Sequence, residues 1–330
     1  MLQLHNNTPF VAEKTWFPNE EAIDTLYIMV KATFNINSKL TLADKQIPIL
    51  PVDHYWTEPG KSSIKYASEH HTGKTCSDIV MVGHAFAPME QETRQLDVSL
   101  SVGKVNKTIR VYGDRQWHDG HITNPVPFKT MAMVYEKAFG GQYIRDGKVI
   151  DADKRNPVGR GFAGERSSIE MNGVPLPNLE DPNELITHHE NQPVPACFGV
   201  SAPHWLPRSS FAGTYDAAWE TQRAPYLPED FDKRYFNTAH PDLIYPGFLK
   251  GGEAVEITNM HPKGNIKFSV PNVNVYADVT IANKSCKPIF NMETLIINPN
   301  QLLFSMVWRA SVQCDKSVLK ISDVKISLQK

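Results

Sequence analysis

Cysteine, net charge and long apolar runs are all in short supply in this sequence. Only four of 330 residues are cysteine (Cys76, Cys197, Cys286 and Cys314), and no two form a CxxC pair. Structural zinc sites are usually built from such closely spaced ligands, so the thiols read as free and buried in a reducing compartment. The formal net charge is −2, which gives no global attraction to nucleic acid or to an anionic membrane. No apolar run approaches the roughly 20 residues that span a bilayer. The opening MLQLHNNTPF lacks the basic start and apolar stretch of a secretory leader. The expectation is a cytoplasmic protein without metal or cofactor, and without a nucleic-acid or membrane partner.

What is present is an ordinary core-forming composition, 41% hydrophobic and 21% charged, with length for one large or two medium domains. Three zones follow one another. Residues 1–112 read as strands. In LYIMVKATFNI, Leu26, Ile28, Val30, Ala32, Phe34 and Ile36 alternate with Tyr27, Met29, Lys31, Thr33 and Asn35, which sets the apolar residues on one sheet face. DIVMVGHAFA is apolar on both faces, as in a strand covered on both sides. LDVSLSVGKVNKTIRVYG reads as a hairpin turning at GKVN.

Residues 113–252 hold much of the proline and glycine, in NPVPF, NPVGRGF, GVPLPNLEDP, QPVPACFGV, APHWLPR, APYLPEDF and YPGF. Proline removes a backbone donor and interrupts helices and ladders alike. The zone is also rich in aromatics, so it is expected to pack on the sheets rather than act as a linker. Two helices are expected in it. FKTMAMVYEKAF would end at Gly140 and Gly141, and TYDAAWETQR would be capped by Thr214 or Asp216. Residues 253–330 return to strands: AVEIT, NIKFSV, VNVYADVTI, ETLIINP, QLLFSMVWRASV and VLKISDVKISL, with NPNQ as a turn. The fold class is therefore mainly β, with sandwich-like sheets, a long irregular centre and a few short helices. The three zones form one integrated domain or two close lobes.

Chemistry-bearing motifs are weak. HHTGKT (residues 70–75) ends like a phosphate-binding loop, but Ser68 stands where that loop needs its first glycine. It reads as a basic turn. His70–His71 and His188–His189–Glu190 lack the HExxH spacing of zinc proteases and read as solvated polar loops. There is no GxSxG elbow. What recurs is arginine beside glycine or an aromatic: Arg115 with Trp117, Arg160 with Phe162, Trp205 with Arg208, Trp308 with Arg309. Guanidinium groups stack on rings and donate a fork of hydrogen bonds. Such residues suit either recognition of an acceptor or internal pinning of loops. In NPVGRGF, Gly159 and Gly161 would let the chain turn. Arg160 would point inward to loop carbonyls or to Glu136 or Asp114, and Phe162 would anchor the loop. Arg115 and Arg309 are read as further pins.

The order of these motifs carries more than any one of them. NNTPF, VKATFNI, SDIVMVGHAFAP, VYGDRQW, VPFKTMAMVYEKAFGG, NPVGRGF, PLPNLEDP, HWLPRSSFAGTYDAAW, LPEDFDKRYFNTAHPD, GGEAVEITNM, METLIINP and VWRA run from Asn6 to about Arg309. In this the chain closely resembles the bacterial family catalogued as domain of unknown function 2169. The resemblance implies a partner of the type VI secretion system: a non-catalytic adaptor or chaperone that holds a toxic effector and helps load it on the spike and its PAAR-type tip protein. It carries over no catalytic residues. Interfaces favour tryptophan, tyrosine and arginine as anchors, which makes Trp117, Trp205, Arg208, Tyr215 and Trp219 the candidate contact residues. The alternatives are a β-rich hydrolase, drawing on Glu136, Asp216, Glu229, Asp230, Asp232 or Glu253, and a carbohydrate-binding module with tryptophan platforms.

Overall fold

In the computed structural model, which describes residues 3–314 and 319–329, strands from both ends of the chain share their sheets. The largest sheet runs Val11–Pro18, Asp24–Asn35, Leu303–Gln313, Asn291–Asn298, Asp78–Met81, with Thr41–Leu42 paired beside Asp24–Asn35. A second sheet runs Leu179–Glu180, Val105–Tyr112, Gln95–Val102, Ala254–Thr258, Ile266–Ser269. A third joins Gln3–Asn6, Ile321–Leu328, Val275–Ile281 and Lys284–Cys286. The architecture is mainly β, with a single α-helix among the described residues, Ala217–Gln222. The strand expected in VLKISDVKISL is Ile321–Leu328; residue 318 lies outside the described residues.

Local chemistry explains the turns. Asn19 Oδ1 accepts the Glu21 and Ile23 amides at 3.0 and 2.9 Å, folding the link between the first two strands of the large sheet. The hairpin turns on Gly103 and Lys104 alone, because Val102 already pairs with Val105; Gly103 supplies the positive φ of 54°. After NPNQ, Leu302 takes φ 52° before the next strand. The sheets meet through one apolar cluster, in which Phe268 of the second sheet stacks on Phe304 of the first at 4.7 Å and Phe34 stacks on Phe304 at 5.3 Å.

Two readings of the first zone change. Asp24–Asn35 is buried on both faces, so its polar alternates are interior: Lys31 and Thr33 are as enclosed as Val30 and Ala32. A buried ammonium needs a counter-charge, and Lys31 Nζ finds Glu69 Oε1 at 2.7 Å and the Pro48 carbonyl at 3.1 Å. The HHTGKT loop is not a solvated turn either. His71, Thr72, Gly73 and Lys74 are buried.

The central zone packs on this frame through Met131, Met133, Tyr135, Phe198, Trp205 and Leu243, all in the main cluster. Trp117, Phe139, Tyr143, Phe162, Met171, Leu176 and Ile186 form a second, local cluster. The helix expected in FKTMAMVYEKAF is instead the strand Thr130–Ala132, a 3-10 turn Tyr135–Lys137 and the strand Phe139–Gly140. Met131, Met133 and Tyr135 point inward at a period of two, and pairing with His84–Phe86 overrides helical propensity. The other helix forms as expected, with Asp216 as its cap accepting the Trp219 amide at 2.8 Å.

Candidate functional site: an apolar cleft over a buried charge network

The loops of the central zone are held by a charge network that sequence separation hides. Asp78, at the edge of the large sheet, is fully buried. It accepts from Lys74 Nζ at 2.6 Å, Asn237 Nδ2 at 2.9 Å, the Thr238 amide at 2.7 Å and Thr238 Oγ1 at 3.1 Å. Beside it, Arg309 Nε donates to Glu293 Oε2 at 2.8 Å, its Nη2 donates to the Glu69 carbonyl, and Glu293 Oε1 accepts the Lys74 amide at 2.9 Å. Lys31, Lys74 and Arg309 thus balance Glu69, Asp78 and Glu293, all buried. His71 stacks on Phe236 at 5.2 Å. Burial, then Arg309 and Lys74, hold its pKa well below the usual histidine range, so it stays neutral. The amides of Gly73 and Lys74 are spent on His71 Nδ1 and Glu293, which leaves neither of them for a phosphate.

On this support sits a cleft of about 300 Å³. Its walls come from Thr75–Cys76, Tyr135, Val194–Pro195, the 206–211 turn and the 237–244 segment. Trp205 lies beneath, enclosed and edge-on to Tyr135 at 5.3 Å. Arg208 staples two loops: Nε donates to the Tyr235 carbonyl at 2.7 Å, Nη1 to the Ser201 carbonyl at 2.9 Å, and the guanidinium lies 4.9 Å from the Tyr235 ring centre. Asn237 closes the far side, donating to the Cys76 carbonyl at 2.9 Å and accepting from Thr75 Oγ1 at 2.8 Å. Val194 and Leu206, 45% and 37% exposed, form apolar lips.

The residues singled out from sequence fall into two groups. Trp117 and Trp205 are buried, because the central zone has too few regular elements to close its core without large rings. Neither presents its ring at the surface. Arg208 is buried too, and only its cleft side is open. Tyr215 is 54% exposed and sits edge-on to half-buried Trp219 at 4.7 Å. Trp219 Nε1 donates to the Tyr226 carbonyl at 2.8 Å.

Arg115, Arg160 and Arg309 all bind loop backbone. Arg115 donates to Glu180 and to the Pro177 carbonyl at 2.9 Å, and stacks 3.7 Å over Tyr112. Burial raises the Glu180 pKa, with Arg115 opposing. Arg160 Nε donates to the Glu136 carbonyl at 3.0 Å and Nη1 to Asn178 Oδ1 at 3.2 Å, with Asp114 at 3.9 Å. Arg160–Gly161 pairs in parallel with Phe139–Gly140. Gly161 has φ 92°, whereas Gly159 is glycine for space: a Cβ there would fall 2.4 Å from Asn156 Nδ2 and 2.7 Å from the Ala138 carbonyl.

Cys197 is buried and its thiol is pushed up to about 12 by burial, so it is a packing group rather than a nucleophile. Of the other free thiols, Cys314 is buried, Cys76 half-buried and Cys286 exposed, so burial is not general. His188 and Glu190 are exposed and His189 half-buried. Among the described residues no three His, Cys, Asp or Glu side chains are grouped to hold a metal ion, and no helix is long and apolar enough to cross a membrane. The residues sequence reading missed are Val194, Leu206 and His240. Each stands beside a proline in QPVPACF, HWLPR or NTAHPD, and that shared neighbour was the available signal.

Fold and site together define a mainly β protein whose irregular centre is shaped into a preformed apolar cleft. The chain belongs to the family described as "uncharacterized protein conserved in bacteria" (DUF2169), whose profile matches residues 21–309. No curated protein and no solved structure matches it.

Proposed function

We propose that this protein is a non-catalytic adaptor or chaperone of the bacterial cytoplasm, which binds a type VI secretion effector and helps load it on the spike and its PAAR-type tip protein. The secretion role rests on the family resemblance. The observation that carries binding is the preformed apolar cleft between Val194 and Leu206, set on a charge network that fixes its walls before any partner arrives. A rigid cleft spares the ordering cost of binding, and each apolar side chain it covers contributes roughly 1.5–3 kcal/mol.

Five of the six acids that a hydrolase would use are engaged locally, which supports binding over turnover; the sixth, Glu229, is exposed and makes no such bond among the described residues. Glu136 accepts the Ser63 amide and hydroxyl, both at 2.7 Å. Asp216 caps the helix, Asp230 accepts from Thr214, Asp232 forks Arg234, and Glu253 accepts the Lys250 and Gly251 amides. Co-expression with a candidate toxic effector of the type VI secretion system, followed by size exclusion, tests the reading. A stoichiometric complex is expected, and Leu206→Asp should weaken it by about tenfold or more, since a lip charge opposes apolar burial. Undiminished binding by Leu206→Asp would move the contact off the cleft; cleavage of cell-wall material lost on changing one acid would replace the adaptor reading with an enzyme.

A further inference from the structure

One charged group of the cleft lacks the close counter-charge that its burial calls for. Arg208 has committed Nε and Nη1 to carbonyls, but among the described residues no carboxylate oxygen lies within 4.0 Å of its guanidinium. Every other cation of the buried network has such a carboxylate. Nη2 makes no hydrogen bond, is not among the enclosed orphan atoms, and belongs to a residue that lines the cleft, so it is open on that side. Asp53 and Asp78 act on the guanidinium only from beyond 4.0 Å, and a buried charge without a close counter-charge is costly, so an anion entering the cleft would be stabilised there.

In the 237–244 wall stands His240, 4% exposed. Its Nδ1 accepts the Asp242 amide at 3.2 Å, capping the 3-10 turn Pro241–Leu243. A ring nitrogen that accepts carries no proton, so the neutral ring holds its hydrogen on Nε2. The ring is neutral because burial, then Lys107, lower its pKa to about 4, against Asp242 and Asp181. Those three charged groups lie in a separate depression on the other side of His240. Nε2 is enclosed, and the Pro195 carbonyl, a wall of the cleft, acts on it as a weak hydrogen-bond acceptor, so the ring braces that wall and offers no group to a ligand.

The rim narrows the choice of ligand. Arg155 and Arg234 are each held by a neighbouring aspartate, Asp153 and Asp232. The cleft therefore offers one cation without a close carboxylate, too little for a phosphate-rich ligand. About 300 Å³ is the lower end for a site that encloses a whole ligand, roughly 300–1,000 Å³, and suits a few side chains.

We propose that the cleft receives an extended segment of a partner polypeptide in which apolar side chains flank a carboxylate, the carboxylate pairing with Arg208 Nη2. This rests on the adaptor reading and specifies what the adaptor holds. A random 12-residue phage library is panned on the full chain. Selected peptides are synthesised with a fluorophore, and Kd is read by anisotropy. Peptides combining apolar residues with Asp or Glu are expected. Converting that acid to its amide should weaken binding about 10- to 100-fold, the value of a charge-assisted hydrogen bond.

Indifference to the acid-to-amide change overturns the role of Arg208. Selection of no peptide, with dodecanoate binding displaced by Leu206→Asp, overturns the polypeptide as occupant in favour of a free apolar acid. If the toxin co-purifies while no peptide binds, this inference fails and the adaptor reading stands. If peptides bind at the cleft and the toxin does not, the reverse holds.

Discussion

Arg309→Met removes the cation at the centre of the buried network without opening a large cavity. Its partner Glu293 is 4% exposed and bonded at 2.8 Å, so the variant leaves a carboxylate held only by the Lys74 amide and the distant edge of His71 at 3.9 Å. Breaking a buried pair by deleting one member costs about 3–5 kcal/mol. With an unfolding entropy of about 2.1 cal/mol/K per residue, the 330 residues give about 0.7 kcal/mol/K, so Tm should fall by about 4–7 °C. Adding Glu293→Gln removes the stranded charge while keeping an acceptor for Lys74. The double variant should return to within about 1–2 kcal/mol of wild type, the remainder being the lost bond to the Glu69 carbonyl. Scanning calorimetry on the four proteins of the cycle checks both values. A Tm loss under about 1 °C for Arg309→Met, or a double variant less stable than the single one, would refute the argument that these charges are buried and mutually compensated.

Arg160→Ala loses the bonds to the Glu136 carbonyl and Asn178, about 1–3 kcal/mol. It should raise amide exchange over residues 134–162; full stability with lost partner binding would make Arg160 a contact residue instead. Gly140→Ala should prevent folding to a soluble product. Its φ is 137° and a Cβ would meet the Asn156 carbonyl at 2.1 Å, whereas Gly147→Ala, with nothing within 4 Å, should cost only about 1–2 kcal/mol in a thermal-shift assay. Stability should decline as pH falls below 6.5. His71 and His240 are both held below that value by burial, so the unfolded chain takes up protons first. For His240, falling to about 4, the loss reaches up to about 3 kcal/mol, and buried Glu180, raised, works in the opposite sense. Urea titrations between pH 8 and 4 measure this; a flat profile would mean that neither ring is kept neutral.

Periodicity made the outer strands legible. AVEIT is the strand Ala254–Thr258 residue for residue, and the hairpin of residues 95–112 turns one step tighter than GKVN suggests. The same logic failed for FKTMAMVYEKAF, where a short apolar run fits either period and only the His84–Phe86 partner decides. It also failed for Lys31, whose alternation marks it as outward. That residue is interior because Glu69, 38 positions away, supplies the missing charge. The arginines beside glycines and rings could be found in sequence, and their bonds to loop carbonyls follow from guanidinium geometry. The cleft could not be found that way. Val194, Leu206, Arg208 and His240 come together only when three proline-bearing segments fold over Asp78, and no spacing rule encodes that convergence.

The strand Asp24–Asn35 has a first neighbour, Val11–Pro18, available at once, but its other edge waits for Leu303–Gln313. During synthesis that edge stands open until Leu303–Gln313 has left the ribosome, and Lys31 and Glu69 have no Arg309 above them in the meantime. Cutting the gene at residue 112 or 252 should therefore yield fragments that aggregate through this unpaired border rather than independent modules. If the chain shelters another's apolar surface as proposed, it must itself be sheltered until Leu303–Gln313 is made.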